Sequence, residues 1–211
     1  MTEFVAACDC TLESEIKRSR FIAVVARVRD EEELFSRLGE IRKKYSDATH
    51  VCYAAIFDRT GNAARFSDDG EPSGTAGQPI LEALKKSGLK ETLVAVVRYF
   101  GGIKLGAGGL IRAYSSAASD ALSAADKIVA RPMDVYKLKT DFAHAKRFTA
   151  FALRNEISIV YTEYSAKVTF TLAVESKRNV LPILSDALQA KPDLEFIETR
   201  FIERPETEKS V

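Results

Sequence analysis

The stretch VVRYFGGIKLGAGGLIRAYSSAASDAL, residues 96–122, constrains the fold of this chain more than any other. It joins an apolar run to an alanine-rich run through Gly101, Gly102, Gly106, Gly108 and Gly109. Residues 92–100 (TLVAVVRYF) read as an apolar strand in the centre of a sheet. Leu110 to Ala125 read as a helix, with Leu110, Ala113, Ala117, Ala121 and Ala124 spaced for one face. Small residues on that face predict close packing on the sheet. Glycine reaches positive φ at little cost, so Gly101-Gly102 suit a sharp reversal or a close backbone approach. A helix start preceded by glycines offers free N–H groups and a partial positive charge, an arrangement that receives phosphate. Arg98, Lys104 and Arg112 lie in the same stretch, and no acid precedes Asp120 in it.

Spacing narrows the phosphate reading. No Gly-Lys-Ser/Thr follows at Walker spacing, and GGIKLG lacks the dinucleotide fingerprint. Three readings stay open. The loop is a tight turn with structural ion pairs from Arg98 and Arg112, an anion or nucleic-acid site, or a phosphoryl-transfer loop. Lys plus Arg number 31 and Asp plus Glu 30, so any anion site is a local patch on a balanced chain.

The 211-residue chain divides in two by pattern. In the first part, 19–28 reads as a strand, 30–45 as a helix capped by Asp30 with Leu34, Phe35, Leu38 and Ile41 inward, and 50–57 as a strand. AARFS (63–67) pairs back as a hairpin, and 78–88 forms a short helix with Pro79 in its first turn. From residue 135 onward the order is strand, helix, strand, strand, helix, strand, that of a ferredoxin-like βαββαβ domain. Its last helix, 179–190, takes Asn179 or Ser176 as cap. The expected boundaries are 1–131, 135–203 and a polar tail over 204–211.

Three other groups of residues carry candidate chemistry. The loop SDDGEPSGTAGQP (67–79) holds Asp68, Asp69 and Glu71 before Ser73 and Thr75. Those acids are solvated around a turn, or bind Mg²⁺, or supply Glu71 as a partner for Arg98 or Arg112. Cys8, Cys10, His50 and Cys52 provide soft donors, but without zinc-site spacing, and buried apolar cysteines fit as well. His144 lies in the first turn of an expected helix. Tyr161, Tyr164, Phe170 and Phe196 lie on strands, either to stack bases or to pack a core. An odd count of three cysteines, no apolar run of membrane length and no basic-then-apolar start predict a reducing, cytoplasmic setting without membrane association.

FSDDGEPSGTAGQPIL (66–81) and VVRYFGGIKLGAGGLIRAY (96–114) together resemble the signature segments of the IMPACT family, in its bacterial YigZ-like branch. The resemblance implies an α+β chain of two domains. The first is an amino-terminal ribosomal-protein-type βαβ sandwich, where periodicity alone reaches only α/β. The second is a carboxy-terminal ferredoxin-like domain. Eukaryotic members act in translational control by competing for a partner of a kinase that phosphorylates an initiation factor. The resemblance carries over no catalytic residue.

The resulting expectation is a non-enzymatic binding protein that contacts RNA, the ribosome or a translation component, with no cofactor and no metal. Its anion-contacting surface comprises Arg98, Gly101, Gly102, Lys104, Gly108, Gly109 and Arg112, facing a loop shaped by Asp68, Asp69, Glu71, Ser73 and Thr75. The alternative is an enzyme or binder acting on a phosphorylated small molecule or nucleotide, with Mg²⁺ held at the glycine-rich cleft.

Overall fold

Runs of apolar residues that alternate between two cores explain the sheet at the centre of the first part of the chain. The computed structural model describes residues 3–205. In chain order the first elements are β1 (Glu3–Ala6), β2 (Cys10–Ile16), β3 (Ser19–Arg27), α1 (Glu31–Lys44), β4 (His50–Ile56) and β5 (Ala64–Ser67). They are followed by α2 (Gly77–Ser87), β6 (Leu89–Lys90), β7 (Thr92–Tyr99) and α3 (Ala107–Ala124). Strands β2-β3-β7-β4-β5 form one antiparallel sheet in that order. β7 is therefore central, and every one of its residues except Tyr99 is buried. Val94 and Val96 point into a core shared with α2 and α3. Leu93, Ala95 and Val97 point the other way, against α1. A strand covered on both faces has no polar face, which is why TLVAVVRY reads as an unbroken apolar run.

The helices follow their local signals closely. The Asp30 carboxylate accepts the Glu33 N–H at 2.8 Å. Three glutamates at the start of α1 and three basic residues at its end complement its dipole. Leu34, Leu38 and Ile41 are buried, but Phe35 is not on their stripe: it lies half exposed beneath the Arg65 guanidinium. A step of about 100° per residue carries position 35 off the stripe that 34, 38 and 41 define. α3 begins at Ala107 rather than Leu110, so Gly108 and Gly109 lie in its first turn and, of the three glycines nearest its start, only Gly106 precedes it. Its packed face includes Tyr114, Ala118 and Leu122 besides the expected small residues, whereas Ala124 is exposed. β1, β2 and β6 carry no strong sequence signal. β6 is two residues long and pairs with β1 in parallel.

The chain divides into two units, Glu3–Val129 and Ala130–Glu203. The division falls inside a long strand, β8 (Lys127–Thr140), which begins at Lys127 rather than at residue 135. It is followed by α4 (Phe142–Arg154), β9 (Ser158–Tyr164), β10 (Val168–Glu175), α5 (Leu181–Leu188) and β11 (Asp193–Pro205). β10 lies antiparallel between β8 and β9, and β11 pairs with β8. Phe148, Ala152, Phe170, Leu172, Leu184 and Leu188 form the core under α4 and α5. The cap of α5 differs from expectation. Val180 occupies the position and contributes no side-chain bond, because Ser176 Oγ donates instead to Asp134 at 2.9 Å. β11 extends to Pro205, and the remainder of the expected tail, 206–211, lies outside the described residues. Among the described residues no helix is long and apolar enough to cross a membrane. The molecule is a mixed α+β protein.

Candidate functional site

Gly101 is where the glycine-rich loop meets the β2–β3 hairpin. A Cβ at Gly101 would lie 1.9 Å from the Arg18 carbonyl oxygen and 2.5 Å from the Ser19 nitrogen, so only glycine lets the two backbones touch. The Gly101 N–H donates to Ser19 Oγ at 3.2 Å, which fastens the two together. Gly102 continues with φ +83°, and the chain reaches Gly106, the residue that starts α3, with φ 74° and ψ 165°. No side chain caps α3, and no acid occurs in its first turn. Its first N–H groups therefore present the positive end of an 18-residue helix.

The facing loop is organised by its own acids. The Asp68 carboxylate accepts N–H bonds from Gly74 (2.8 Å), Ala76 (3.0 Å) and Gly77 (2.8 Å). Burial opposes its charge, but those three bonds outweigh burial and hold its carboxyl below the usual range. Asp69 accepts from the Val51 N–H at 2.7 Å and from Arg42 at 3.1 Å. Its carbonyl lies 2.8 Å from His50 Nδ1. Thr75 is buried and donates to the Pro72 carbonyl at 2.6 Å, while Ser73 is exposed. Asp68 and Asp69 are thus turned onto the loop and its neighbours. Among the described residues no group of three or more His, Cys, Asp or Glu is arranged to hold a metal ion.

Glu71 ties its own loop to β7 and α3, the two elements that flank the glycine-rich loop. Its Oε1 accepts Arg98 Nη1 at 2.5 Å and the Tyr114 hydroxyl at 2.8 Å. Arg98 is only 5% exposed and Glu71 9%, so this ion pair is internal. The Arg98 guanidinium also reaches Ser19 Oγ at 3.4 Å and lies over the rings of Phe21 and Phe100. Its Nε is buried without a partner. Cys52 completes the network: the thiol donates to the Asp68 carbonyl at 3.0 Å and lies 3.4 Å from the Tyr114 hydroxyl. Burial pushes the Cys52 thiol up to about 12 and, with nearby negative charge, drives the Tyr114 hydroxyl well above its usual range. Neither ionises at neutral pH, so this network holds structure rather than a ready nucleophile.

The structure therefore separates the expected anion surface into an interior and an exterior. Arg98 lies inside, neutralised by Glu71. Gly102, Lys104, Gly108 and Arg112 are exposed, and neither Lys104 nor Arg112 has a carboxylate partner among the described residues. Arg112 and Gly109 line a groove of about 300 Å³ together with Ile16, Lys17, Leu105, Ala113 and Ser116. Lys17 and Arg18 belong to the hairpin turn and are not apparent as site residues in the sequence. The strong hairpin signal is Asn-Gly or Asp-Gly, and Lys-Arg carries none. The alternation within CTLESEI is the signal available for β2.

The other candidates are dispersed. Cys8 is exposed, Cys10 half-buried and Cys52 buried. The His144 ring rests on Asp141, the cap of α4, at 2.8 Å. Phe170 packs on Phe148 in the core, Phe196 meets Tyr136 edge-on, Tyr164 stacks on Phe142, and Tyr161 is exposed.

Comparison with known proteins identifies a family over the same part of the chain. The Impact N-terminal domain family matches residues 17–122, the span that contains the hairpin turn, both loops and nearly all of α3. The IMPACT family member YvyE of Bacillus subtilis is 36% identical over 90% of this chain and 88% of its own length. The IMPACT family member YigZ of Escherichia coli is 34% identical over 82% of this chain and 86% of its own length. A crystal structure of a protein described only as hypothetical, 32% identical, superposes with a TM-score of 0.61 over 93% of this chain and 98% of that one.

Proposed function

The chain belongs to the IMPACT family, and from that premise we propose that it is a non-enzymatic protein that binds RNA, free or within the ribosome, in translational regulation. The observation that carries the proposal is the pair of exposed, unpartnered cations Lys104 and Arg112 beside the uncapped start of α3. They are a local positive charge on a chain that is balanced overall, with 31 basic and 30 acidic residues. Local positive charge beside free N–H groups favours phosphate without base specificity. Two features of the fold support the reading. The five-stranded sheet with helices on both faces accords with a ribosomal-protein-type sandwich, and the strand–helix order of the second unit accords with a ferredoxin-like domain. Both fold types occur in translation factors, according to the family resemblance.

Co-sedimentation with ribosomes or RNA at two salt concentrations tests the proposal. Binding through phosphates weakens as salt rises. Lys104→Ala and Arg112→Ala each weaken it further without unfolding the protein. Binding that neither substitution alters would remove this surface from the interface. Binding that persists unchanged in high salt would point to a protein partner instead.

A further inference from the structure

We infer that the β2–β3 turn forms the second wall of the RNA site: one nucleotide of a single strand sits in the groove between that turn and α3, with its phosphate against Lys17 and Arg112. The inference rests on the RNA-binding reading and names where, and with which groups, the strand is held.

Lys17 and Arg18 are the two residues between the paired positions Ile16 and Ser19. Both have positive φ, 47° and 62°. This is the mirror-type two-residue turn, for which Asn-Gly is the favoured pair. The left-handed region disfavours residues with a Cβ, and long cationic side chains gain nothing there from the backbone. Nor does an internal partner explain them, since neither has an ion pair among the described residues. What the turn does achieve is placement. Gly101 lies against the Arg18 carbonyl, so the turn is seated on the glycine-rich loop. That brings Lys17 to the same groove as Arg112.

The groove lining is specific in composition. Ile16, Leu105, Gly109 and Ala113 are apolar, the Ser116 hydroxyl donates to Asp120 at 3.2 Å, and Lys17 and Arg112 supply the only charges of the lining, both positive. An apolar wall with cations alongside suits a base and its phosphodiester. A free phosphate would leave the apolar wall unused. The volume of about 300 Å³ is at the lower end of small-ligand sites (about 300–1,000 Å³), which suits one nucleotide.

The test is fluorescence anisotropy of a labelled, mixed-sequence single-stranded oligoribonucleotide at two salt concentrations, with melting temperatures recorded in parallel. The double variant K17N/R18G gives the turn its preferred residues. It is expected to melt higher than the wild type yet bind roughly tenfold more weakly, with a salt slope lower by about 0.7 for each phosphate no longer neutralised. Arg112→Gln is expected to weaken binding by a similar step with its melting temperature unchanged. If K17N/R18G binds as tightly as the wild type, this inference falls and the RNA reading stands. If the wild type binds no RNA, both fall. If polyglutamate of equal charge displaces the RNA as well as unlabelled RNA does, the nucleotide assignment falls. A lower melting temperature for K17N/R18G would overturn the claim that these cations are kept against the preference of the turn.

Discussion

Glu71 shows how much one side chain decides. It is a carboxylate held inside the first unit by Arg98 and Tyr114, and it joins its loop to β7, 27 residues on in sequence, and to α3, 43 residues on. Removing one member of a buried ion pair leaves the other uncompensated, at a cost of about 3–5 kcal/mol. Glu71→Ala is therefore expected to lower unfolding free energy by an amount in that range, measured by urea denaturation. The double variant Glu71→Leu/Arg98→Met removes both charges and is expected to cost clearly less than the two single losses added together. Additive losses would show that the pair is not coupled. From sequence, Glu71 has three open roles and Arg98 two. Composition cannot separate them, because a surface cation and a buried one are the same letter. Burial separates them: at 5% exposure Arg98 has no access to a phosphate in solvent.

The elements are legible where local physics dominates. α1 has its charge gradient and its apolar stripe written in fourteen residues, with its cap, Asp30, immediately before them. β7 is legible as central because a strand buried on both faces must be apolar throughout. The start of α3 is not. Glycines read as a lead-in, yet Gly108 and Gly109 are helical and Gly106 alone forms the cap. Gly106 has φ 74° and ψ 165°, a region essentially confined to glycine. Serine is ordinarily a good helix cap, but here the backbone excludes it. Gly106→Ser is expected to destabilise by about 1–3 kcal/mol rather than stabilise, as a shift in the urea midpoint would show. A rise in stability would mean that the loop relaxes into an ordinary capped start. β2 and its turn are illegible for a related reason: the turn runs against its own residue preferences.

Across the whole molecule, the buried network and the engaged carboxylates set the pH limits of stability. Burial opposed by three N–H bonds leaves Asp68 below its usual 3.8, and bonds from Thr199 and Ser176 do the same for Asp134. For a lowered carboxyl the stabilisation is complete above the unfolded value and is lost as pH falls through the folded one. Stability is thus expected to fall in acid below about pH 4. Cys52 works in the opposite direction. Its thiol rises from 9.0 to about 12 on burial, so its contribution is complete below 9.0 and is lost across that interval as pH rises. Cys52→Ala is expected to delay the alkaline loss until the Tyr114 phenol, ordinarily at 10.0, titrates in the unfolded chain. Urea midpoints measured from pH 7 to 11 check this, and identical alkaline profiles for both proteins would contradict it. The sequence by itself determined the five helices of the described residues, the strands other than β1, β2 and β6, the central strand and the two signature loops, because periodicity, caps and glycine freedom act over a few residues. Only the tertiary structure decided that Arg98 is an internal partner of Glu71, that Tyr114 and Cys52 join them, and that Lys17 lines the same groove as Arg112. Those pairings span tens of residues, and the backbone approach at Gly101 that brings them about exists only once the sheet is closed.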